Sequence, residues 1–388
     1  MAKKRSAKIL ASASILVEVL TEELPPKSLR LLSESFKHRL LNDLIERQLK
    51  LREAHGVMAF ATPRRLAVLI PDVEAAGQDR ETEVTGPSAK APPQAIEGFA
   101  RKQGVSVESL GRRATDKGEI VVAHVSVKGL ILRDVLPSLV EDALKALPIA
   151  KVMRWGAGDE QFARPVHGLG MMHGKRVIPG KVLGVPSGNA TLGHRFMSAG
   201  SIRLASADDY EARLRKNGLV IADFAGRRSE IERQLQAEAK RQEAGLGDYR
   251  DLLDEVTALV EFPAVYAGGF DASYLEVPQE CLILTMRQNQ KYFPLFAADG
   301  KLLPRFLIVS NLRAADPRHI VGGNERVVRP RLEDARFFYV QDRKVRLEAR
   351  VPQLAKMVYH NRLGSQLERV QRIKLLAGAI ARMLAADV

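Results

Sequence analysis

The sequence predicts a multidomain α+β protein. Its 388 residues exceed what one hydrophobic core ordinarily organises, so about two to four domains are expected. Strand-like runs near the N terminus flank a helix with one apolar face, whereas residues 143–205 hold ten of the 29 glycines among short β-prone runs. Helices and one β hairpin follow. This succession of strand-rich and helix-rich regions favours α+β domains.

The N-terminal region is predicted to be a β-α-β-β unit. Residues 14–20 form a strand, and a proline pair then opens a helix in its first turn, where proline is tolerated. Residues 57–61 and 66–70 form the next strands, and the polar residues 74–93 a linker or long loop. The apolar face of the helix is made by Leu29, Leu32, Phe36, Leu40 and Leu44.

The middle of the chain is predicted to change from mixed elements to a turn-rich β region. Residues 94–103 and 132–147 have helical periodicity, and residues 119–127 form a strand between them. Residues 143–205 then present short strands and many turns.

The second half is predicted to be mostly helical. Residues 208–261 form helices with stops at 217–218 and 245–247. A further strand, helix and hairpin are predicted at residues 263–270, 278–287, 292–297 and 306–310. The remainder is predicted to be helical and to end within a domain, because its apolar face has no partner helix. That face is made by Leu367, Val370, Ile373, Leu376, Ala377 and Ile380.

The formal net charge is +14 and is unevenly distributed. Residues 143–205 carry nine Lys or Arg against two acids, a net of +7, and residues 305–350 carry eleven against six, a net of +5. Clustered positive charge favours a nucleic acid as partner, because binding releases the counterions of the phosphates. The alternative is a solvated basic face without a specific ligand.

Several classes of chemistry lack their sequence signatures. The Gly-Lys pairs at residues 174–175 and 300–301 are not followed by Ser or Thr, so no phosphate-binding P-loop is predicted. Gly168, Gly170 and Gly174 are expected at turns and bulges instead. The eight histidines form no metal-binding motif. We therefore assign no catalytic residue, no metal ligand and no cofactor to this chain.

Cysteine usage and hydropathy indicate the cytoplasm. The single cysteine, Cys281, has no partner for a disulfide, which is typical of a reducing compartment. No run approaches the ~20 apolar residues that a membrane-spanning helix needs. We expect a soluble cytoplasmic protein without a membrane partner.

Cations beside aromatic residues form the candidate RNA-binding positions. Arginine and lysine hold phosphates, and an adjacent ring stacks on an unpaired base. The alternative is that such rings belong to the core and that their cationic neighbours extend along its surface. The first candidates are Arg64, Arg65, Lys151, Arg154, Arg195, Arg287 and Lys291.

Seven segments resemble the β subunit of bacterial two-subunit glycyl-tRNA synthetases. They occur in one order and span nearly the whole chain, from residue 16 to about 376. The basic residues of the last segment, Arg326, Arg329 and Arg331, join the candidate RNA-binding positions. The segments are Leu-Val-Glu-Val-Leu-Thr-Glu-Glu-Leu-Pro-Pro-Lys (16–27), Thr-Pro-Arg-Arg-Leu-Ala (62–67), Met-Arg-Trp-Gly-Ala-Gly-Asp (153–159), Phe-Ala-Arg-Pro-Val-His (162–167), Gly-His-Arg-Phe-Met (193–197), Gln-Lys-Tyr-Phe-Pro (290–294) and Gly-Asn-Glu-Arg-Val-Val-Arg-Pro-Arg-Leu (323–332).

The resemblance implies a domain order. A domain similar to the editing domain of the phenylalanyl-tRNA synthetase β subunit is expected in the glycine-rich region, and an HD-type helical domain is expected to begin near residues 359–364. The family's anticodon-binding domain is expected outside this sequence. The expected regions are 1–90, an N-terminal α/β unit and linker; 91–205, a basic, glycine-rich, editing-like region; 206–350, helices with a β hairpin and basic helices; and 351–388, the start of a truncated HD-type domain.

The resemblance also implies a function. It predicts a noncatalytic portion of glycine–tRNA ligase that binds tRNA(Gly) and a catalytic α subunit in an α2β2 heterotetramer, with ATP and Mg used by the α subunit. Two alternatives stay open. One is hydrolytic editing of mischarged tRNA, with His194 and Arg195 lining a pocket. The other is a stand-alone RNA-binding or scaffold paralogue.

Overall fold

The protein has an α+β fold, as the sequence predicts. The computed structural model describes residues 12–50, 55–115 and 118–387. The helices are α1 Leu29–Glu46, α2 Pro93–Gln103, α3 Leu132–Lys145, α4 Tyr210–Arg213, α5 Phe224–Arg241, α6 Arg250–Thr257, α7 Gln279–Gln290, α8 Arg318–Arg343 and α9 Gln366–Met383. The strands are β1 Ser12–Thr21, β2 Met58–Thr62, β3 Arg65–Glu74, β4 Arg80–Ser88, β5 Gly111–Thr115, β6 Gly118–Val127, β7 Met153–Arg154, β8 Gln161–Phe162, β9 Val166–His173, β10 Arg176–Val177, β11 Lys181–Val182, β12 Val185–Gly188, β13 Ala190–Leu192, β14 Ser201–Arg203, β15 Ala264–Gly269, β16 Phe293–Phe296, β17 Leu302–Ser310, β18 Val358–His360 and β19 Gly364–Ser365.

Contacts divide the chain into two compact units. Of the described residues, those up to 235, 250–265 and 309–315 form the first unit, and those at 236–249, 266–308 and 316–387 form the second. None of the described helices is both long enough and apolar enough to cross a membrane.

The first unit is organised around a seven-stranded sheet. Its main order is β11-β12-β9-β1-β3-β2, and β10 also pairs with β9. The predicted β-α-β-β unit is confirmed as β1, α1, β2 and β3. Strand β1 lies between β3 and β9, and Val17 pairs with Val68 on one side and Met171 on the other. The sheet therefore joins strands from both sides of the predicted division at residue 90.

The two faces of this sheet bury different clusters. Val17 on β1 belongs to a core with Phe36 of α1 and Leu136 of α3, and all three are fully buried. Because side chains alternate along a strand, the adjacent Leu16 faces the opposite cluster, which contains Tyr210. Each such buried aliphatic or aromatic side chain stabilises the fold by about 1.5–3 kcal/mol.

The predicted loop at residues 74–93 contains a strand, so that prediction was wrong in part. Strands β4, β5 and β6 form a small sheet in the order β4-β6-β5, in which β4 pairs with β6. The sequence of β4 is Arg-Glu-Thr-Glu-Val-Thr-Gly-Pro-Ser, which has no apolar face to predict a strand. The predicted helices and strand that became α2, β6 and α3 are confirmed.

The glycines of β9 occupy two kinds of position. Gly174 has a φ of +55° at the turn that follows the strand, as predicted. Gly168 borders a register shift between Leu20 and Thr21, as expected at a bulge. Gly170 lies inside regular pairing opposite Glu18, so its prediction as a turn or bulge position was wrong. A Cβ atom at residue 170 would lie 3.4 Å from Glu18 Cβ, and the bare backbone leaves room for that side chain.

The second unit has its own core. The predicted hairpin is confirmed as β16 and β17, with Gly300 at a φ of +81° in the connection. The rings of Tyr292 and Phe306 stack with centroids 4.5 Å apart, and Val328 and Leu332 of α8 are buried in the same cluster.

The prediction that the remaining chain is entirely helical was wrong at one place. Strands β18 and β19 form a short hairpin around residues 361–363, ahead of α9. Ser365 caps α9 because its Oγ accepts a hydrogen bond from the Glu368 N–H at 3.4 Å. The predicted apolar face of α9 is present, but Ile373 and Leu376 on it are exposed.

Candidate functional site

Two adjacent arginines, one just before β3 and one at its first residue, have different surroundings. Arg64 lies in the tight connection between β2 and β3, and Arg65 is the first residue of β3. Because consecutive strand residues alternate in direction, only one of them can enter the protein interior. Arg65 is 1% exposed, whereas Arg64 is half-buried.

Arg65 is held in a buried polar cluster, so its prediction as an RNA contact is corrected. Its Nη1 donates to Glu18 Oε1 at 3.0 Å, and its Nη2 donates to the Leu192 carbonyl at 2.8 Å. Glu261 Oε1 lies 3.5 Å from Nη2. Burial opposes the charge of Arg65, but Glu261, Tyr210 and Glu18 raise its pKa. The guanidinium therefore stays cationic and is bonded inside the protein, away from any phosphate.

The same cluster gathers residues from distant parts of the first unit. Tyr210 donates to Glu18 Oε1 at 2.6 Å, and Thr191 donates to the same oxygen at 2.8 Å. Thr62 donates to Glu261 Oε1 at 2.7 Å. Burial, followed by the charge of Glu18, raises the pKa of Tyr210 well above its ordinary value. Only Glu18, as an acid inside an apolar strand, was a sequence signal for this cluster.

A cavity of about 190 Å³ opens beside these strand ends. Leu20 and Leu192 supply its apolar lining. Its polar lining includes Thr21, His167 and Arg64, and we call it the Thr21–Arg64 cavity. The Thr21 N–H donates to the Arg64 carbonyl at 2.9 Å, which holds the two residues together through their backbones.

Glu22, at the same cavity, is already bound by two partners. Both of its carboxylate oxygens accept from Arg195 Nη2 at 2.9 Å, and Oε1 also lies 2.9 Å from His167 Nε2. The hydrogen bond from Arg195 lowers the pKa of Glu22, burial opposes this shift, and the hydrogen bond with His167 adds to it. The negative charge of Glu22 is therefore compensated within the protein.

Two cavity groups have no partner among the described residues. Thr21 Oγ1 and Arg64 Nε are buried atoms without a hydrogen bond. Burial lowers the pKa of Arg64, and Glu261 opposes that effect. An arginine remains charged nevertheless, because its ordinary pKa is far above neutral pH.

The editing alternative expected His194 and Arg195 to line a pocket, and neither is among the residues that line the Thr21–Arg64 cavity. His194 is 1% exposed, and its Nδ1 accepts hydrogen bonds from the Phe196 and Met197 N–H groups at 3.2 Å. It therefore shapes the loop, and His167 lines the cavity instead. The loop presents Phe196, which is 78% exposed beside Arg195.

The other candidates of the first unit are exposed. Lys151 is exposed, and Arg154 forms an ion pair with Asp159, with 3.0 Å between Nη1 and Oδ1. The neighbouring Trp155 packs against the main core, in agreement with the alternative that this ring is structural.

The candidates of the second unit differ in exposure. Arg287 and Lys291 are half-buried near the end of α7. Arg326, Arg329 and Arg331 are exposed on α8. Since Val328 and Leu332 face the core, the helical period spreads these three arginines over the solvent side.

Sequence reasoning missed a second buried arginine. Arg227 is fully buried and donates to the Ala61 carbonyl at 2.6 Å and to the Thr257 carbonyl at 3.1 Å. Burial lowers its pKa to about 10. It ties β2 to the ends of α5 and α6, and nothing in its helical sequence context distinguishes it from a solvated arginine.

Metal chemistry finds no support in residues 12–50, 55–115 and 118–387. These contain no group of three or more His, Cys, Asp or Glu side chains arranged to hold an ion. The polar constellation of the first unit is instead a buried salt-bridge cluster beside a cationic cavity.

Comparison with known proteins places the chain among the aminoacyl-tRNA synthetases. A family model described as glycyl-tRNA synthetase beta subunit matches residues 15–388. The chain belongs to the glycyl-tRNA synthetase beta subunit family.

Individual relatives carry the name glycine–tRNA ligase beta subunit. The protein from Aromatoleum aromaticum is 56% identical over 390 residues, covering 98% of this chain and 56% of the relative. The protein from Neisseria gonorrhoeae is 47% identical, covering 97% and 56%. The protein from Citrobacter koseri is 44% identical, covering 98% and 56%. The chain thus spans about half the length of the curated relatives it matches.

Proposed function

We propose that this chain is the portion of a glycine–tRNA ligase β subunit that binds tRNA(Gly) and the catalytic α subunit, and so supports ATP-dependent glycylation. The observation that carries the proposal is the family match across residues 15–388. In the proposed complex the chain supplies binding surfaces and no reacting group. ATP and Mg are used by the α subunit, the assembly is an α2β2 heterotetramer, and the location is the cytoplasm.

The proposal extends to the domains. Residues 91–205 correspond to an editing-like domain similar to that of the phenylalanyl-tRNA synthetase β subunit, and residues 351–388 begin an HD-type domain. Residues 1–90 and 206–350 are the proposed N-terminal and connecting regions. The short strands within residues 143–205 and the helix α9 support this division, whereas the sheet that pairs β1 with β9 crosses its boundary at residue 90.

The proposed RNA contacts are those candidate cations that are exposed or half-buried. Exposed guanidinium and ammonium groups neutralise phosphates and release counterions, which gives affinity without reading the base sequence. Arg64 is retained because its guanidinium has an unpartnered nitrogen, whereas Arg65 is withdrawn. The retained set is Arg64, Lys151, Arg154, Arg195, Arg287, Lys291, Arg326, Arg329 and Arg331.

Reconstitution with a glycyl-tRNA synthetase α subunit tests the proposal. We expect the purified chain to elute with the α subunit in size-exclusion chromatography and to change the rate of glycyl-tRNA(Gly) formation. The α subunit alone is the control. Absence of a complex together with an unchanged glycylation rate would contradict the proposed subunit role.

A further inference from the structure

The Thr21–Arg64 cavity contains hydrogen-bonding groups that the protein leaves unused. Thr21 is 1% exposed, and its Oγ1 has no partner among the described residues. Arg64 Nε, in the same cavity, is also buried without a partner. Buried polar groups are nearly always hydrogen-bonded, since leaving one unsatisfied is costly. Two such groups lining one cavity indicate a ligand that accepts hydrogen bonds.

Two of the three arginines around the cavity are held in ion pairs. Arg65 is neutralised by Glu18 and Glu261, and Arg195 is neutralised by Glu22. No carboxylate in the described residues forms an ion pair with Arg64. The guanidinium of Arg64 thus provides a positive charge that is partly removed from water and that no described carboxylate holds in an ion pair.

We propose that the Thr21–Arg64 cavity binds one phosphate group. A guanidinium presents parallel N–H donors that match two oxygens of a phosphate, and the Thr21 hydroxyl donates to a third. The volume of about 190 Å³ exceeds the ~30 Å³ share of one water several times over, so a tetrahedral oxyanion fits. Glu22 does not repel this anion strongly, because Arg195 and His167 already hold its carboxylate.

The ligand chemistry is a phosphate oxyanion, and its source is either an RNA backbone or a free phosphate monoester. The RNA source rests on the proposed function and assigns one tRNA phosphate to this cavity. The exposed ring of Phe196 lies in the loop beside the Arg195–Glu22 ion pair, where it can stack on the neighbouring base. The free-phosphate source does not depend on tRNA binding at all.

Calorimetric titration with inorganic phosphate at constant ionic strength tests the cavity itself. Thr21→Val keeps the shape and removes the hydroxyl, and we expect it to weaken phosphate binding about threefold to tenfold. Arg64→Ala is expected to weaken binding by about tenfold or more, because it removes a charge-assisted pair. Arg176→Ala removes an exposed arginine on β10 and serves as the matched control. Phosphate binding that is absent, or equal in wild type and Thr21→Val, overturns the proposal.

Competition distinguishes the two sources. If tRNA is the source, Thr21→Val weakens tRNA binding by a similar factor and inorganic phosphate displaces tRNA. If a free monoester is the source, Thr21→Val loses phosphate affinity while tRNA affinity stays unchanged. Complex formation with the α subunit is measured on the same variant. If Thr21→Val loses phosphate binding but still forms the complex, the proposed subunit role stands independently of the phosphate site.

Discussion

Arg65 and Glu18 form a salt bridge of 3.0 Å between β3 and β1, and both side chains are 1% exposed. Thr62 accepts from Nε of Arg65, Thr191 from Nη1 and Glu261 from Nη2, so every nitrogen of the guanidinium has a hydrogen-bond acceptor. Such a pair contributes to a specific arrangement of strands, and breaking it leaves an uncompensated charge in the interior.

Arg65→Met is therefore expected to destabilise the chain. Removing the guanidinium leaves the carboxylates of Glu18 and Glu261 buried without a counterion, and the expected loss is about 3–5 kcal/mol of unfolding free energy. Urea denaturation followed by circular dichroism measures it. Arg176→Ala, at an exposed position, is the control and should change stability little. Equal midpoints for Arg65→Met and wild type would show that the cluster is not stabilising.

Tyr210→Phe tests the same cluster through its titration. Burial and then Glu18 raise the pKa of Tyr210 above the ordinary value of 10.0. A raised folded-state pKa contributes stability that is present below pH 10 and is lost as the pH rises through the folded-state value. Tyrosine ionisation is followed by absorbance at 295 nm in wild type and in Tyr210→Phe. The two native proteins should give the same signal near pH 10, and the extra tyrosine of wild type should ionise near pH 10 only after unfolding. Ionisation of Tyr210 near pH 10 in the native protein would contradict its burial.

Glu22→Gln should flatten the acid limb of the stability profile. The hydrogen bond from Arg195 lowers the pKa of Glu22 below the ordinary value of 4.5. A depressed folded-state pKa contributes stability above about pH 4.5 that disappears as the pH falls through the folded-state value. Wild type should lose more stability than Glu22→Gln between pH 5 and pH 3, measured by urea unfolding at each pH. Arg195→Ala should reproduce the flatter profile, and parallel profiles for all three proteins would refute the coupling.

The three exposed arginines of α8 should contribute to RNA affinity without base specificity. We expect the combined substitution Arg326→Ala, Arg329→Ala and Arg331→Ala to lower the slope of log affinity against log salt by about 1 per lost phosphate contact. Filter binding of tRNA at several salt concentrations measures the slope. Arg318→Ala is the control, because Arg318 already forms an ion pair with Asp316, with 2.7 Å between Nη2 and Oδ2. An unchanged slope in the triple variant would remove α8 from the proposed RNA surface.

Periodic apolar patterns predicted most of the regular structure. Strand β1 is a nearly continuous apolar run, helix α1 has apolar residues at spacings of three and four, and both form where expected. Strand β4 was not predicted because polar residues occupy both of its faces. It forms through backbone pairing with β6, which its own sequence does not indicate. The hairpin of β18 and β19 was missed because strands of two or three residues carry too little periodicity.

By itself the sequence determined the α+β class, the clustering of positive charge and the family resemblance, because these depend on local patterns and on residue identity. It could not distinguish Arg64 from Arg65. Their different roles arise when the pleat of β3 directs Arg65 toward Glu18 and Glu261, which lie 47 and 196 residues away along the chain. Only the tertiary structure brings these carboxylates to one arginine and leaves Nε of the other, at the cavity, without a hydrogen-bond partner among the described residues.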